Sequence, residues 1–106
     1  VVFLPHINYS DIKMKIRTVE GEPCLQRGLS EIKGIGEKAA VEIVEERIKN
    51  GIFTSFDDFY DRCKSRVVNE RVIRLVREFG ASEFNKKTYI SRVTKYNSSL
   101  LGRSFK

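Results

Sequence analysis

The residues best suited to a chemical task lie together in one short run, Lys33-Gly34-Ile35-Gly36-Glu37-Lys38. Two glycines flank a single aliphatic residue directly before a segment with helical periodicity. Lacking a Cβ, Gly34 and Gly36 are open to backbone angles closed to other residues, and they let another molecule come close. The first turn of the following helix presents unpaired N–H groups and a partial positive charge, a combination suited to an anion. Lys33 and Lys38 bracket that turn with full charges. Amides and lysines so arranged hold a phosphate without reading a base, which makes Lys33, Gly34, Ile35, Gly36 and Lys38 the first group of candidate binding residues.

Other chemistries are poorly supplied. Cys24 and Cys63 are isolated, without CxxC spacing, and His6 is the single histidine, so a zinc ligand set is lacking. The two cysteines read as reduced thiols of a cytoplasmic protein. Asp57, Asp58 and Asp61 gather three carboxylates near one helix start, where acidic residues ordinarily cap and solvate the helix. A small metal-dependent nuclease, or a lyase with Lys33 or Lys38 as nucleophile, is the enzyme reading they leave open. No catalytic residue and no metal ligand is assigned.

The charge distribution favours a polyanionic partner. Residues 1–63 hold 9 Lys/Arg against 11 Asp/Glu, a net −2, whereas residues 64–106 hold 11 against 3, a net +8. Solubility alone does not call for such an asymmetry, and nucleic acid is the simplest partner for it. At 106 residues, 41% hydrophobic and 32% charged, the chain has the composition of one soluble globular domain with a modest core. No apolar run approaches the roughly 20 residues of a membrane span. Val1-Val2-Phe3-Leu4-Pro5 is too short for a secretory signal. The absence of an initiating Met points to a piece of a longer protein.

The elements that must position these residues follow from periodicity. Ile12 to Val19 alternates apolar and polar residues and predicts a half-buried strand. Glu20-Gly21-Glu22-Pro23 breaks it, and Cys24 to Arg27 predicts the returning strand of a small hairpin. Leu29–Ile32 reads as a short helix, Lys33–Gly36 as a tight connection, and Glu37–Lys49 as a helix with the apolar stripe Ala40, Ile43, Val44 and Ile48. Asn50-Gly51 stops it. Ser55 caps a further helix carrying Phe56, Phe59, Tyr60 and Cys63 on one face, with Asp58 as the acidic half of a capping box. That aromatic face reads as core rather than as a base-stacking platform. Lys64–Val68 is a basic link, Asn69 caps a last clear helix to about Phe79, and Gly80 ends it. Val68, Val72, Leu75, Val76 and Phe79 are expected to line its apolar side. Beyond Phe84, Lys86, Lys87, Arg92, Lys95, Arg103 and Lys106 lie among polar residues, in a further helix or a basic tail.

The run Ile32-Lys33-Gly34-Ile35-Gly36-Glu37-Lys38-Ala39-Ala40 resembles the helix-hairpin-helix motif, hydrophobic-x-Gly-hydrophobic-Gly-x-x-x-Ala, of DNA-binding proteins without sequence preference. Blocks around and on both sides of this run extend the resemblance over about Leu4 to Phe84. They are Leu4 to Ser10, Gly28 to Ala39, Asn50 to Phe59, and Val68 to Val72 followed by Gly80-Ala81. Together they are similar to the tandem helix-hairpin-helix region of C-family replicative DNA polymerases, the bacterial polymerase III alpha subunits. The resemblance implies a mainly α fold with a short N-terminal β-hairpin. It divides the chain into a lead-in (1–27), a tandem helix-hairpin-helix unit (28–84) and a basic C-terminal segment (85–106).

What the resemblance implies for function is a grip on duplex DNA near a primer terminus, by a monomeric region that works beside the other domains of a bacterial or phage-encoded polymerase. The catalytic aspartates of that family lie in the palm and have no counterpart here, so the fragment is not expected to polymerise although its parent is a DNA-directed DNA polymerase. Amides around Gly34, Ile35 and Gly36 are expected to donate to successive phosphate oxygens. Across a pseudo-two-fold, Ser65, Arg66, Asn69 and Arg71 are expected to reach the opposite strand, although their link lacks glycines. Related hairpins hold a monovalent cation on loop carbonyls, the one cofactor the resemblance suggests. The competing reading is a structural or protein-interaction module without DNA contact, in which Gly34 and Gly36 serve only the turn.

Overall fold

The computed structural model describes residues 1–93. Lys95, Arg103 and Lys106 of the basic C-terminal stretch lie outside the described residues. Three strands open the chain: β1 (Val2–Phe3), β2 (Lys15–Val19) and β3 (Glu22–Gln26), in the sheet order β1-β3-β2. β2 and β3 form the expected hairpin, closed by Glu20 and Gly21, both at positive φ (52° and 81°). Positive φ at both central residues is the signature of the two-residue turn whose twist matches that of its strands. Pro23 lies inside β3, opposite Thr18, where the sequence suggested a break. Leu25 and Arg27 donate their N–H groups to Val1 and Phe3, so Pro23, two residues earlier, faces the same edge beyond the reach of β1. Its missing N–H therefore costs no ladder bond.

The strand pattern holds, with an unexpected face inward. Ile16 is 74% exposed, while Lys15, Arg17 and Val19 are half-buried. Arg17 replaces an apolar side chain because its stem packs and its head is satisfied: Nη1 donates to Gln26 Oε1 at 2.8 Å, and the guanidinium lies 5.4 Å from the Phe3 and Tyr9 ring centres.

After a 3-10 turn at Leu29–Glu31 come three helices, α1 (Glu37–Asn50), α2 (Phe56–Cys63) and α3 (Glu70–Phe79), and residues 86–93 are helical as well. Ser55 accepts from the Asp58 N–H and Asn69 from the Val72 N–H, as their N-cap positions predict. Asp58 reaches back to the Thr54 N–H at 3.0 Å, and that bond, with Arg62 alongside, holds its carboxyl below the usual range. Gly51 and Gly80 end α1 and α3.

One apolar cluster joins Ile7, Leu29, Ile32, Ile35, Ala39, Ala40, Ile43, Val44, Phe53, Phe59, Val68, Val72, Ile73 and Val76. Phe53 and Phe59 meet edge to face with centroids 5.3 Å apart, so these two aromatics are core. Two helix faces depart from expectation. Ile48 is 74% exposed, and the next inward position of α1 belongs to Arg47, which donates to the Ile7 carbonyl at 2.6 Å. On α3, Ile73 is buried and Phe79 is 38% exposed beneath the Arg92 guanidinium.

A buried polar network ties the first ten residues to the end of the fold. His6 Nδ1 accepts the Asn8 N–H, so Nε2 carries the proton and donates to the Glu83 carbonyl at 2.6 Å. Ser10 accepts from the His6 N–H and donates to the Arg27 carbonyl. Gln26 donates to the Leu4 carbonyl at 2.7 Å, and Tyr89 reaches that same oxygen at 2.8 Å. No buried side-chain N or O among the described residues lacks a partner, which is what makes burying three polar side chains tolerable.

Gly28 has no room for a side chain. A Cβ there would lie 2.4 Å from the backbone carbon of Lys13 and 2.6 Å from the Ile12 carbonyl oxygen. Because those atoms are backbone, Gly28→Ala is expected to cost roughly 3 kcal/mol or more, read as the shift in a urea unfolding curve. Burial lowers the pKa of His6 from its ordinary 6.5, outweighing the hydrogen bond to the Glu83 carbonyl. The unfolded chain then binds a proton that the fold refuses, so stability should fall as pH drops below about 6.5 and level off below the folded value. A His6→Gln variant should lose this segment of the pH dependence in thermal melts between pH 7.5 and 5.5.

Candidate nucleic-acid interface

The hairpin between the 3-10 turn and α1 is built on a single bent residue. Gly34 has φ +96°, and Ile35 turns its N–H back onto the Ile32 carbonyl at 3.0 Å. This corrects the expectation that the Ile35 amide meets a phosphate: it closes the turn instead, and the Ile35 side chain is buried in the core. Gly36 is the N-cap of α1 in ordinary extended geometry (φ −76°, ψ 165°), and among the described residues no atom beyond its chain neighbours lies within 4 Å of where its Cβ would be. Gly34 thus needs glycine for its angles, whereas Gly36 leaves open space at the helix start.

That helix start is uncapped. Gly36 offers no side-chain cap to the first turn of α1, in contrast to Ser55 at α2 and Asn69 at α3. The N–H groups of Glu37, Lys38 and Ala39 precede the first intrahelical bond, with the dipole behind them, and Glu37 is the one acidic residue of the turn. Lys33 and Lys38 are exposed and form no ion pair among the described residues.

The second unit meets the first at Gly34. A Cβ on Gly34 would sit 2.8 Å from Leu75 Cδ1 and 3.7 Å from Arg71 Nη2, so the hairpin turn rests on α3 between two side chains one helical turn apart. Arg66 and Arg71 are exposed and unpaired among the described residues, because Glu70 is taken by Tyr60 and Lys64. Ser65 and Asn69 are committed within the fold. The Ser65 hydroxyl donates to Glu42 at 2.9 Å and accepts the Val68 N–H, and Asn69 Oδ1 caps α3. Sequence reasoning treated all four as free contacts because spacing does not reveal where a short polar side chain spends its bonds.

Arg62, unremarked in the sequence, is the rivet behind this face. It bonds to Glu46 at 2.9 Å, Asp58 at 3.0 Å and the Gly51 carbonyl at 2.6 Å, and stacks 4.4 Å over Phe53. It holds the end of α1 to α2. Cys63 packs beside it, and burial pushes that thiol up to about 12, which leaves it protonated and unreactive at neutral pH. Among the described residues no His, Cys, Asp or Glu group of three or more is gathered for a metal. Asp57, Asp58 and Asp61 fall at or just past the start of α2, with Asp58 engaged by Thr54 and Arg62.

A glycine turn feeding an uncapped helix, followed by a second helical pair packed on it, defines a tandem helix-hairpin-helix. The chain belongs to the helix-hairpin-helix family: the family model described as "Helix-hairpin-helix motif" matches residues 1–88. It is 41% identical over 83 residues to the DNA polymerase III subunit alpha of Aquifex aeolicus, a match covering 78% of this chain and 7% of that protein. The corresponding protein of Thermus aquaticus is also 41% identical, over 80 residues, and that of Pseudomonas aeruginosa is 27% identical over 99 residues. The chain spans less than a tenth of the length of these relatives, and no helix among the described residues is long and apolar enough to cross a membrane.

The two hairpin glycines should respond in opposite ways. Gly34→Ala is expected to destabilise by about 1–2 kcal/mol, from the positive φ. Gly36→Ser, in open space at an N-cap, should gain a few tenths of a kcal/mol by supplying the missing cap. Paired denaturation curves check both signs.

Proposed function

We propose that this chain binds duplex DNA through its phosphate backbone, without reading sequence, as the helix-hairpin-helix part of a replicative DNA polymerase alpha subunit. The observation that carries this is the uncapped N-terminus of α1 behind a glycine turn, with Lys33 and Lys38 unpaired on either side. An anion is the partner such a terminus lacks, and DNA phosphate is the anion that the polymerase relatives supply. The amides of Gly36 and of the first turn of α1 donate to phosphate oxygens; Ile35 contributes by shaping the turn.

The second unit contributes charge through Arg66 and Arg71, while Ser65 and Asn69 hold their own loop in shape. These are positioning contacts, so affinity should vary little among sequences. A monovalent cation would use the carbonyls that the turn leaves free, the Ile32 carbonyl being taken by the Ile35 N–H. The parent protein would supply the polymerase chemistry from its other domains, to which this region is joined.

Titrating a duplex at several salt concentrations tests the proposal. Neutralising about four phosphates gives a slope of log K against log salt near −3.6, at about 0.9 per phosphate. Changing Arg66 and Arg71 together to Ala should flatten that slope by roughly one to two units and weaken all duplexes alike. Salt-independent binding, or strong preference for one duplex over its scrambled version, sinks the proposal.

A further inference from the structure

Arg71 is carried by the second unit, yet its guanidinium lies beside the turn of the first. Its Nη2 is 3.7 Å from the Cβ position of Gly34, and Leu75, four residues on along the same face of α3, is seated against that same glycine. The spacing i, i+4 aims both side chains at one spot, with Leu75 as the floor and Arg71 as the rim. Arg71 is exposed and unpaired among the described residues, and the neighbouring carboxylate of Glu70 is occupied by Tyr60 and Lys64. Arg66, in contrast, lies on the Lys64–Val68 link, where the chain turns on Ser65 bonds anchored by Glu42.

From this placement we infer that Arg71 completes the phosphate site of the first hairpin instead of reaching the opposite strand with Arg66. The inference rests on the DNA-binding reading and sharpens it. One phosphate of one strand is held from two sides, by the α1 amides and by a planar guanidinium whose fork suits two phosphate oxygens at once. The two units are then unequal: the first hairpin with Arg71 makes a close contact, and Arg66 makes a separate, charge-only one.

Two residues on one phosphate are coupled, whereas two residues on different phosphates act independently. Gly36→Val places a branched side chain in the open space at the α1 start and excludes a phosphate there, without requiring unusual backbone angles. Duplex affinities should be measured for the parent chain, Gly36→Val, Arg71→Ala, Arg66→Ala and each arginine change combined with Gly36→Val, all checked for folding by circular dichroism. In the parent, Arg71→Ala should weaken binding about tenfold, the size of one charge-assisted hydrogen bond. In the Gly36→Val background the same change should cost twofold or less, while Arg66→Ala should cost the same in both. Arg71→Lys should recover only part of the loss, since a point charge lacks the fork. If Gly36→Val unfolds, Lys38→Ala takes its place in the cycle. Equal losses from Arg71→Ala in both backgrounds overturn the inference while leaving DNA binding intact. A parent chain that binds no duplex overturns both.

Discussion

The structure depends most on the seating of Gly34 against α3. The turn must reverse between the 3-10 segment and α1 while lying close enough to α3 to touch Leu75, and only glycine supplies both the φ of +96° and the missing side-chain volume. Once seated, the turn drives Ile32 and Ile35 down into the cluster that holds Val72, Ile73 and Val76 of α3. Two helical pairs thereby share one core, and the start of α1 is set at a fixed distance from the basic side chains of α3. The geometry of the candidate site and the core packing are consequences of the same contact.

A second constraint sorts the positive charges. Arg47 lies inward on α1, held by the Ile7 carbonyl and Asp11; Arg62 joins α1 to α2; Arg92 caps the end of α3 on the Phe79 and Gly80 carbonyls. Lys15, Arg27 and Lys64 are each paired with a carboxylate. These cations stabilise the fold and are spent there. Lys33, Lys38, Arg66, Arg71 and Arg74 have no ion pair among the described residues, and of the described cations after residue 63 only Lys64 has one, so the positive excess of the second half is largely left unpaired.

The helical part was legible because local signals agree with one another. Ser55 and Asn69 cap where their types predict, Gly51 and Gly80 stop helices at positive φ, and the hairpin glycines flank an aliphatic residue that is buried. What was not legible depends on distant partners. β1 is two residues long and exists only because β3 lies beside it. Arg17 and Arg47 face inward in place of Ile16 and Ile48 because carbonyls and rings satisfy them, which no periodicity reveals. At the candidate site, residue types mark a loop but not how its groups are used: the Ile35 N–H and the Ser65 hydroxyl are engaged by groups three or more residues away.

The contrast among the three helix starts carries the argument to its end. α2 and α3 satisfy their first turns with Ser55 and Asn69, so nothing in this fold forbids a side-chain cap. α1 is the longest of the three, yet its cap position holds a glycine in backbone geometry that serine or aspartate would accept. A cap there would satisfy an N–H at the cost of closing it to an external acceptor. Glycine in place of a side-chain cap costs only a few tenths of a kcal/mol, so the open helix start is inexpensive to keep. An external acceptor would complete that turn, and the α1 dipole, Lys33 and Lys38 all favour one that carries negative charge.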